Sequence, residues 1–572
     1  MRKTDGIAIA GVFCLALALR LVYLGQIQSL PLFEYPLVDA RSYDEWGQAI
    51  AAGNWLGSQV FYQAPAYPYF LGLLYSLFGH DLLAAHVVQM LMGAGSCVLL
   101  LLATRSMFGR GPALAAGLLL ALYAPALFFD GILQKTGLGL FLTSALLALV
   151  ARLAKRPRVA VAVLAGVCAG LLALTRENAL IFALVIPGWL LLRQRAAALR
   201  LRSLWAGAFV LGLALVLLPV GARNLAVGDT FAITTSQLGP NFYIGNNPKA
   251  TGLYAPLMPG RHTPDFESSD ATRAAEWETG RPLLPGEVSS HWLGKSLRWI
   301  SEEPGAFSWL LFYKTLYTLN DYEIPDTEDV YVHAEFSWLL AGLHALFRFG
   351  VLLPLGLAGM VFAWREREPG DASELVALLA GVFTAAVAVF YVWARYRFPI
   401  VPMLMPFAGL ALVRSYQAAS QGHWRQLAVP TTVLLLGACV SNLSLFDREA
   451  MTQTTWLNLA NIMLREDRLE EADGYLERAS SIAHESADLH FHLAALRFRQ
   501  SRPEAEEHLR RMLVLDPTDF RGHRLLAQVL QAEGRRQEAK QHLRESIRLN
   551  PDRARRGRPG APIPLPKPDD AP

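Results

Sequence analysis

Eleven apolar runs, separated by short turns, fill most of the first 446 residues: 6–27, 84–104, 112–129, 137–153, 159–175, 178–192, 203–222, 345–364, 374–393, 399–413 and 427–446. A helix needs about 20 apolar residues to cross a hydrocarbon core of about 30 Å. Runs of that order, repeated so often, predict a mostly α, polytopic membrane protein of about eleven spans. Composition agrees, with 53% hydrophobic and only 17% charged residues. The net charge of +4 is small and its basic residues sit in short loops, which describes topology rather than nucleic-acid binding. Cys14, Cys97, Cys168 and Cys439 all fall in apolar runs, so they predict neither a disulfide framework nor a zinc site.

The first run follows Met-Arg-Lys and lacks an A-x-A-like cleavage site, so it is expected to stay as an anchor. With a cytoplasmic N-terminus, the inside loops collect Arg105, Arg110, Lys155, Arg156, Arg158, Arg193, Arg195, Arg200, Arg202, Arg365, Arg367, Arg414 and Arg425. The outside stretches 28–83, 130–136, 176–177 and 394–398 then hold only Arg41, Lys135, Arg176, Arg395 and Arg397, in keeping with the positive-inside rule. The apolar stretch 67–79, with Pro65 and Pro68 at its start, is too short to cross and is expected to lie at the outer interface. The domains predicted are a module of residues 1–222 with its outside loop 28–83, an outside region 223–344, spans in 345–446, a repeat array 451–552 and a disordered tail 553–572. Region 223–344 is expected to be a small mixed domain, with β-like residues near 231–235 and a helix over 290–317.

After Leu445 the pattern becomes charged and helical with a period near 34 residues. This array resembles tetratricopeptide repeats. Trp456, Leu459, Ala460, Ala472, Leu476 and Ala479 mark one unit, Leu493, Ala494, Ala505, Leu509 and Pro517 a second, and Leu526, Ala527, Gly534, Ala539, Leu543 and Pro551 a third. Small residues at those places let paired helices approach closely. Either a docking surface for an envelope protein or a plain spacer fits that pattern.

Charge near a membrane is costly and so is informative. Asp39 leads an acidic stretch just beyond the first span, with Tyr43, Asp44 and Glu45 close behind. It is either a reactive carboxylate or the N-cap of the helix that follows. Arg20 lies in the outer half of its span, where snorkelling to headgroups is the alternative to ligand binding. Asp130 and Lys135, Arg176, and Arg395 with Arg397 occupy outside turns facing the same compartment. Cations gathered there against the prevailing rule suggest an anion at the outer leaflet, and a lipid phosphate matches the paired donors of arginine.

In order along the chain stand DARSYDEWGQAIAAG, QAPAYPYFLGLLYSLFG, LTREN, NFYIGNNPKATGLY, NDYEIPD and RYRFPIVPML. With these motifs the chain, over roughly residues 7 to 415, resembles a GT-C superfamily glycosyltransferase, of the bacterial branch related to protein O-mannosyltransferases and aminoarabinose transferases. It departs from that pattern at Ala40, where many relatives carry glutamate, so no role of that residue carries over. The resemblance implies a plasma-membrane enzyme that moves a hexosyl or pentosyl group from a polyprenyl-phosphate donor to a protein, lipid or glycan acceptor on the extracytoplasmic face, with inversion. Asp39 would be the general base; Arg395, Arg176, Lys135, Arg397 and Arg20 would bind the lipid phosphate. Tyr43, Asp44, Glu45, Asp130, Asn246, Asn247 and Glu323 are candidate acceptor or sugar contacts, with Asp326 beside them. Neither a cofactor nor a metal is expected. A lipid-linked glycan flippase, or an envelope scaffold docking partners through its repeats, are the alternatives from other classes. Charges gathered at one face favour the enzyme, because a flippase needs polar positions through the membrane depth.

Overall fold

Helix makes up 78% of the residues described by the computed structural model, which are 3–549 apart from 195–196, 259–263, 368–369 and 483. Five helical segments are long and apolar enough to cross a membrane: Asp5–Ile27, Leu82–Phe108, Lys135–Lys155, Leu199–Gly228 and Trp338–Glu366. Arg110–Leu122 and Ala124–Asp130 make a sixth if a 57° bend, at a proline one residue into the second helix, is taken within one span. Among the described residues, length and apolarity thus support five or six spans against the eleven expected. Val159–Ala173, Ala372–Ala388 and Ala428–Ser441 are helical but shorter than a standard span, and so is Ala66–Phe78, the stretch expected at the interface.

These helices pack through small residues. A methyl group on Gly166 would come within 2.0 Å of the Phe209 carbonyl, and one on Gly212 within 2.1 Å of the Val163 carbonyl. Helices Val159–Ala173 and Leu199–Gly228 thus touch backbone to backbone, a packing that works without a hydrophobic driving force.

Region 223–344 corrects one expectation. No strand occurs among the described residues, and 231–235 is an irregular loop. The Asn224 side chain takes the place of a ladder partner, donating to the Ala232 carbonyl at 2.7 Å and the Thr234 carbonyl at 3.4 Å. The helix expected over 290–317 is two, Pro285–Glu302 and Pro304–Leu319, because Pro304 cannot continue the first.

The chain divides into two compact units, the second formed mainly by residues from Asp447 onward. Within that unit six helices, from Arg448–Arg465 to Arg536–Leu549, form three successive pairs. Ala460, Ala472, Ala479, Ala494 and Ala505 are buried where the helices meet, while Leu543 in the last helix is half exposed. Pro551 and the tail 553–572 lie outside the described residues, as does Arg195.

Candidate active site

Asp39 lies in the first turn of the helix Val38–Ala51, but it does not cap it. Its carboxylate points elsewhere: Oδ2 takes a 2.5 Å contact from Arg395 Nη1, and Oδ1 accepts from Gln63 Nε2 at 3.2 Å. The residue before it, Val38, has φ of +49°. A β-branched residue is strained there, so surrounding packing forces the turn that presents Asp39. Burial raises the Asp39 pKa, yet Arg395, Lys135 and Gln63 outweigh it and leave the carboxyl below its ordinary range.

Arg395 also reaches Asp326 at 2.8 Å, so one guanidinium joins two carboxylates. A second arginine lies near the same ring: the guanidinium carbons of Arg395 and Arg176 each lie 5.3 Å from the centre of Tyr396. Arg176 donates to the Thr136 hydroxyl at 2.7 Å, while its Nε and Nη1, with Arg395 Nε, are buried with no acceptor. Burial and the neighbouring Arg395 draw the Arg176 pKa down to about 10. Lys135 is buried at the start of its helix and couples electrostatically to Asp39, Arg176 and Arg395. Buried donors without partners are rare, and each costs about 1–3 kcal/mol when left unsatisfied. An oxyanion would satisfy them.

Four of the expected residues, Asp39, Arg395, Arg176 and Lys135, therefore converge, and Tyr43, buried against Tyr67, is coupled to the same group. The others are employed differently. Arg20 Nε meets Asp130 Oδ2 at 2.8 Å, both fully buried, so Arg20 does not snorkel, and its Nη2 is buried without a partner. Arg397 pairs with Glu323 at 3.0 Å and donates to the Asn320 and Tyr322 carbonyls, which fixes the loop leading to Asp326. Asp44 accepts from Tyr75 at 2.6 Å, from Gln48 at 2.8 Å and contacts His80 at 2.9 Å; Glu45 forms an exposed pair with Arg41. Asn246 bridges the Phe242 and Val389 carbonyls and accepts from Lys314 at 2.8 Å, and Asn247 donates to the Tyr243 carbonyl. Gly245 does not adopt a positive φ; it is small because the Phe390 backbone would lie 2.7 Å from any Cβ.

A cleft of about 490 Å³ opens beside Asp39, lined by Arg395, Glu323, Asp326 and Glu328 with Phe128 and Ile132. Two participants were not among the expected site residues. Tyr396 sits between the two expected arginines of RYRFP, a position that could have drawn notice. Glu267, on the helix Pro264–Thr279, gives no sequence signal, yet burial and the charge of Asp39 raise it to about 7.

Residues 62–221 match the family model described as dolichyl-phosphate-mannose-protein mannosyltransferase. That match supports the resemblance to GT-C superfamily glycosyltransferases, and it leaves the repeat-like tail unassigned. No curated protein sequence matches the chain. Among solved structures, ArnT from Cupriavidus metallidurans bound to undecaprenyl phosphate is 15% identical with a TM-score of 0.44, over 92% of this chain and 78% of that one. The Archaeoglobus fulgidus oligosaccharyltransferase in complex with Zn and sulfate is 15% identical with a TM-score of 0.44, over 81% of this chain. The Archaeoglobus fulgidus enzyme AglB with an inhibitory peptide and a dolichol-phosphate is 14% identical with a TM-score of 0.40, over 82%. The chain spans 56% and 60% of the length of those two archaeal proteins.

Proposed function

We propose that the protein is an integral-membrane glycosyltransferase that moves a hexosyl or pentosyl group from a polyprenyl-phosphate donor to an acceptor hydroxyl. The reaction takes place at the extracytoplasmic face of the plasma membrane, with a cytoplasmic N-terminus and the repeat unit outside. The observation that carries this proposal is the set of buried, unpaired donors on Arg176 and Arg395 next to an ionised Asp39. Fixed cations stabilise a leaving phosphate as its charge develops, with no solvent to reorganise. Arg395, Arg176 and Lys135 bind that phosphate. Asp39 accepts the hydrogen bond of the incoming hydroxyl and takes its proton as the oxygen attacks the anomeric carbon, inverting it. Arg397 and Arg20 have partners of their own and hold the scaffold instead.

The purified protein, given labelled polyprenyl-phosphate sugars and an acceptor, should release polyprenyl phosphate. A folded Asp39→Asn variant with full turnover would remove Asp39 from the chemistry. The donor that turns over also identifies the sugar.

A further inference from the structure

Four carboxylates border the cleft: Asp39, Glu323, Asp326 and Glu328. Three face arginine, since Asp39 and Asp326 pair with Arg395 and Glu323 pairs with Arg397. Among the described residues Glu328 differs, because its Oε2 lies 2.9 Å from His333 Nε2. His333 is 1% exposed, with its ring edge-on to Phe128, and its Nδ1 meets the Tyr23 hydroxyl at 3.1 Å. A guanidinium does not release its proton, whereas an imidazole can both take up and give up one. Of the four carboxylates, only Glu328 has a partner with which it can share a mobile proton.

A second, smaller pocket adjoins the cleft, and His333 and His86 line it. Ala40, Ile132, Leu133 and Glu328 border both spaces. The short side chain at position 40, next to Asp39, leaves Glu328 facing the cleft and its histidine behind it.

We propose that Glu328, oriented by His333 and Tyr23, is the proton-holding partner of Asp39. This rests on the transfer reaction proposed above. The acceptor oxygen bonds to the anomeric carbon while the bond from that carbon to the phosphate oxygen breaks, and its electron pair leaves with the phosphate. The hydroxyl proton passes to Asp39 and then across the cleft to the Glu328–His333 pair, which keeps it until solvent removes it. Asp39, beside Arg395, is a poor store for a proton and returns at once to its ionised form. The Tyr23 hydroxyl donates to a neutral imidazole and accepts from a protonated one, so it serves both states. The charged and titratable groups facing this chain are Asp326 on the same loop, Asp130 beside Tyr23, and His86 and Tyr67 opposite Glu328.

The test uses the full chain and whichever polyprenyl-phosphate sugar the wild type turns over, polyprenyl-phosphate mannose first. Release of polyprenyl phosphate is followed from pH 5.5 to 8.5 for wild type, Glu328→Gln, Glu328→Asp, His333→Gln and Asp39→Asn, with thermal unfolding as a control for folding. Glu328→Gln should lower kcat by roughly 10²-fold at an unchanged donor KM. Glu328→Asp should recover part of the loss, and His333→Gln should alter the shape of the pH profile as well as its height. A folded Glu328→Gln variant with wild-type kcat and pH profile overturns the proposal while Asp39→Asn, if inactive, leaves the transfer reaction standing. An equal loss in the Gln and Asp variants at every pH, with the profile of His333→Gln unchanged, overturns it too. Full turnover by Asp39→Asn instead overturns the reaction on which it rests.

Discussion

Arg20 with Asp130 and Arg395 with its carboxylates are both buried ion pairs within the helical unit, yet they are built to opposite ends. Arg20 and Asp130 pair one to one, both fully buried, with Arg20 Nη1 also donating to the Ala16 carbonyl at 3.3 Å and with Arg20 Nη2 and Asp130 Oδ1 left without a partner. A methyl group on Gly93 would lie 2.0 Å from Asp130 Oδ2 and 2.4 Å from Arg20 Nε, so the neighbouring helix is tailored to that pair. Arg395 instead serves two carboxylates and sits at the wall of a cleft beside a second arginine, Arg176, with two unsatisfied donors. A one-to-one pair enclosed by packing closes a structure. A mismatched set next to open space is prepared for a charged ligand.

The largest effect expected from breaking the second arrangement is on turnover. Asp39→Asn should lower transfer by roughly 10²–10⁴-fold, and its thermal unfolding should stay close to wild type because Arg395 keeps Asp326. The first arrangement should respond the other way. Arg20→Leu strands a buried carboxylate and should cost about 3–5 kcal/mol of stability. Replacing both partners, Arg20→Met with Asp130→Leu, should recover most of it, since no uncompensated charge remains. A double variant as unstable as the single one would mean that the pair itself contributes net stability. Gly93→Ala should behave like Arg20→Leu, and a methyl tolerated there without loss would contradict the tight fit.

Glu267 sharpens the comparison through pH. Its folded pKa of about 7 stands above the ordinary 4.5. Between those values the folded protein holds a proton that the unfolded chain has lost, so this group's contribution to stability falls as pH rises from about 4.5 to 7 and stays low above. Glu267→Gln removes the penalty. The variant should unfold at a higher temperature than wild type at pH 8, by on the order of 1 kcal/mol for a carboxyl that retains some solvent contact, and match it at pH 4. An equal difference at both pH values would show that packing rather than ionisation is responsible.

What could be read along the chain was what depends on local pattern. Apolar runs locate the helices, and the distribution of cations points to Asp39, Lys135, Arg176 and Arg395 as one group. Contacts between distant residues could not be read that way. Arg20 looked free because Asp130 is 110 positions away, and Asp44 looked like a second acid because Tyr75 and His80 reach it only once Ala66–Phe78 packs on its helix. The 231–235 segment has β-forming residues, but the Asn224 side chain rather than a neighbouring strand takes its Ala232 and Thr234 carbonyls. Glu267 belongs to a helix of ordinary polar composition, and only its position next to Asp39 makes it unusual.

The repeat unit supplies the third term, ion pairs on a surface. Arg535 contacts Glu506 at 2.7 Å and Glu538 at 2.6 Å, and Arg510 contacts the same two glutamates at 2.6 Å, so the four form a ring joining successive helix pairs. Water and salt screen such groups, with a Debye length of about 3 Å at 1 M salt against about 10 Å at 0.1 M. Arg535→Ala should therefore lower the unfolding temperature of this unit only slightly at low salt, and the difference should vanish at 1 M sodium chloride. The loss from Arg20→Leu should persist at both concentrations, because no ion reaches a pair enclosed by helices. Equal salt sensitivity of the two variants would mean that the Arg20–Asp130 pair is open to solvent, and the contrast between sealed and accessible charge would then fail at its clearest point.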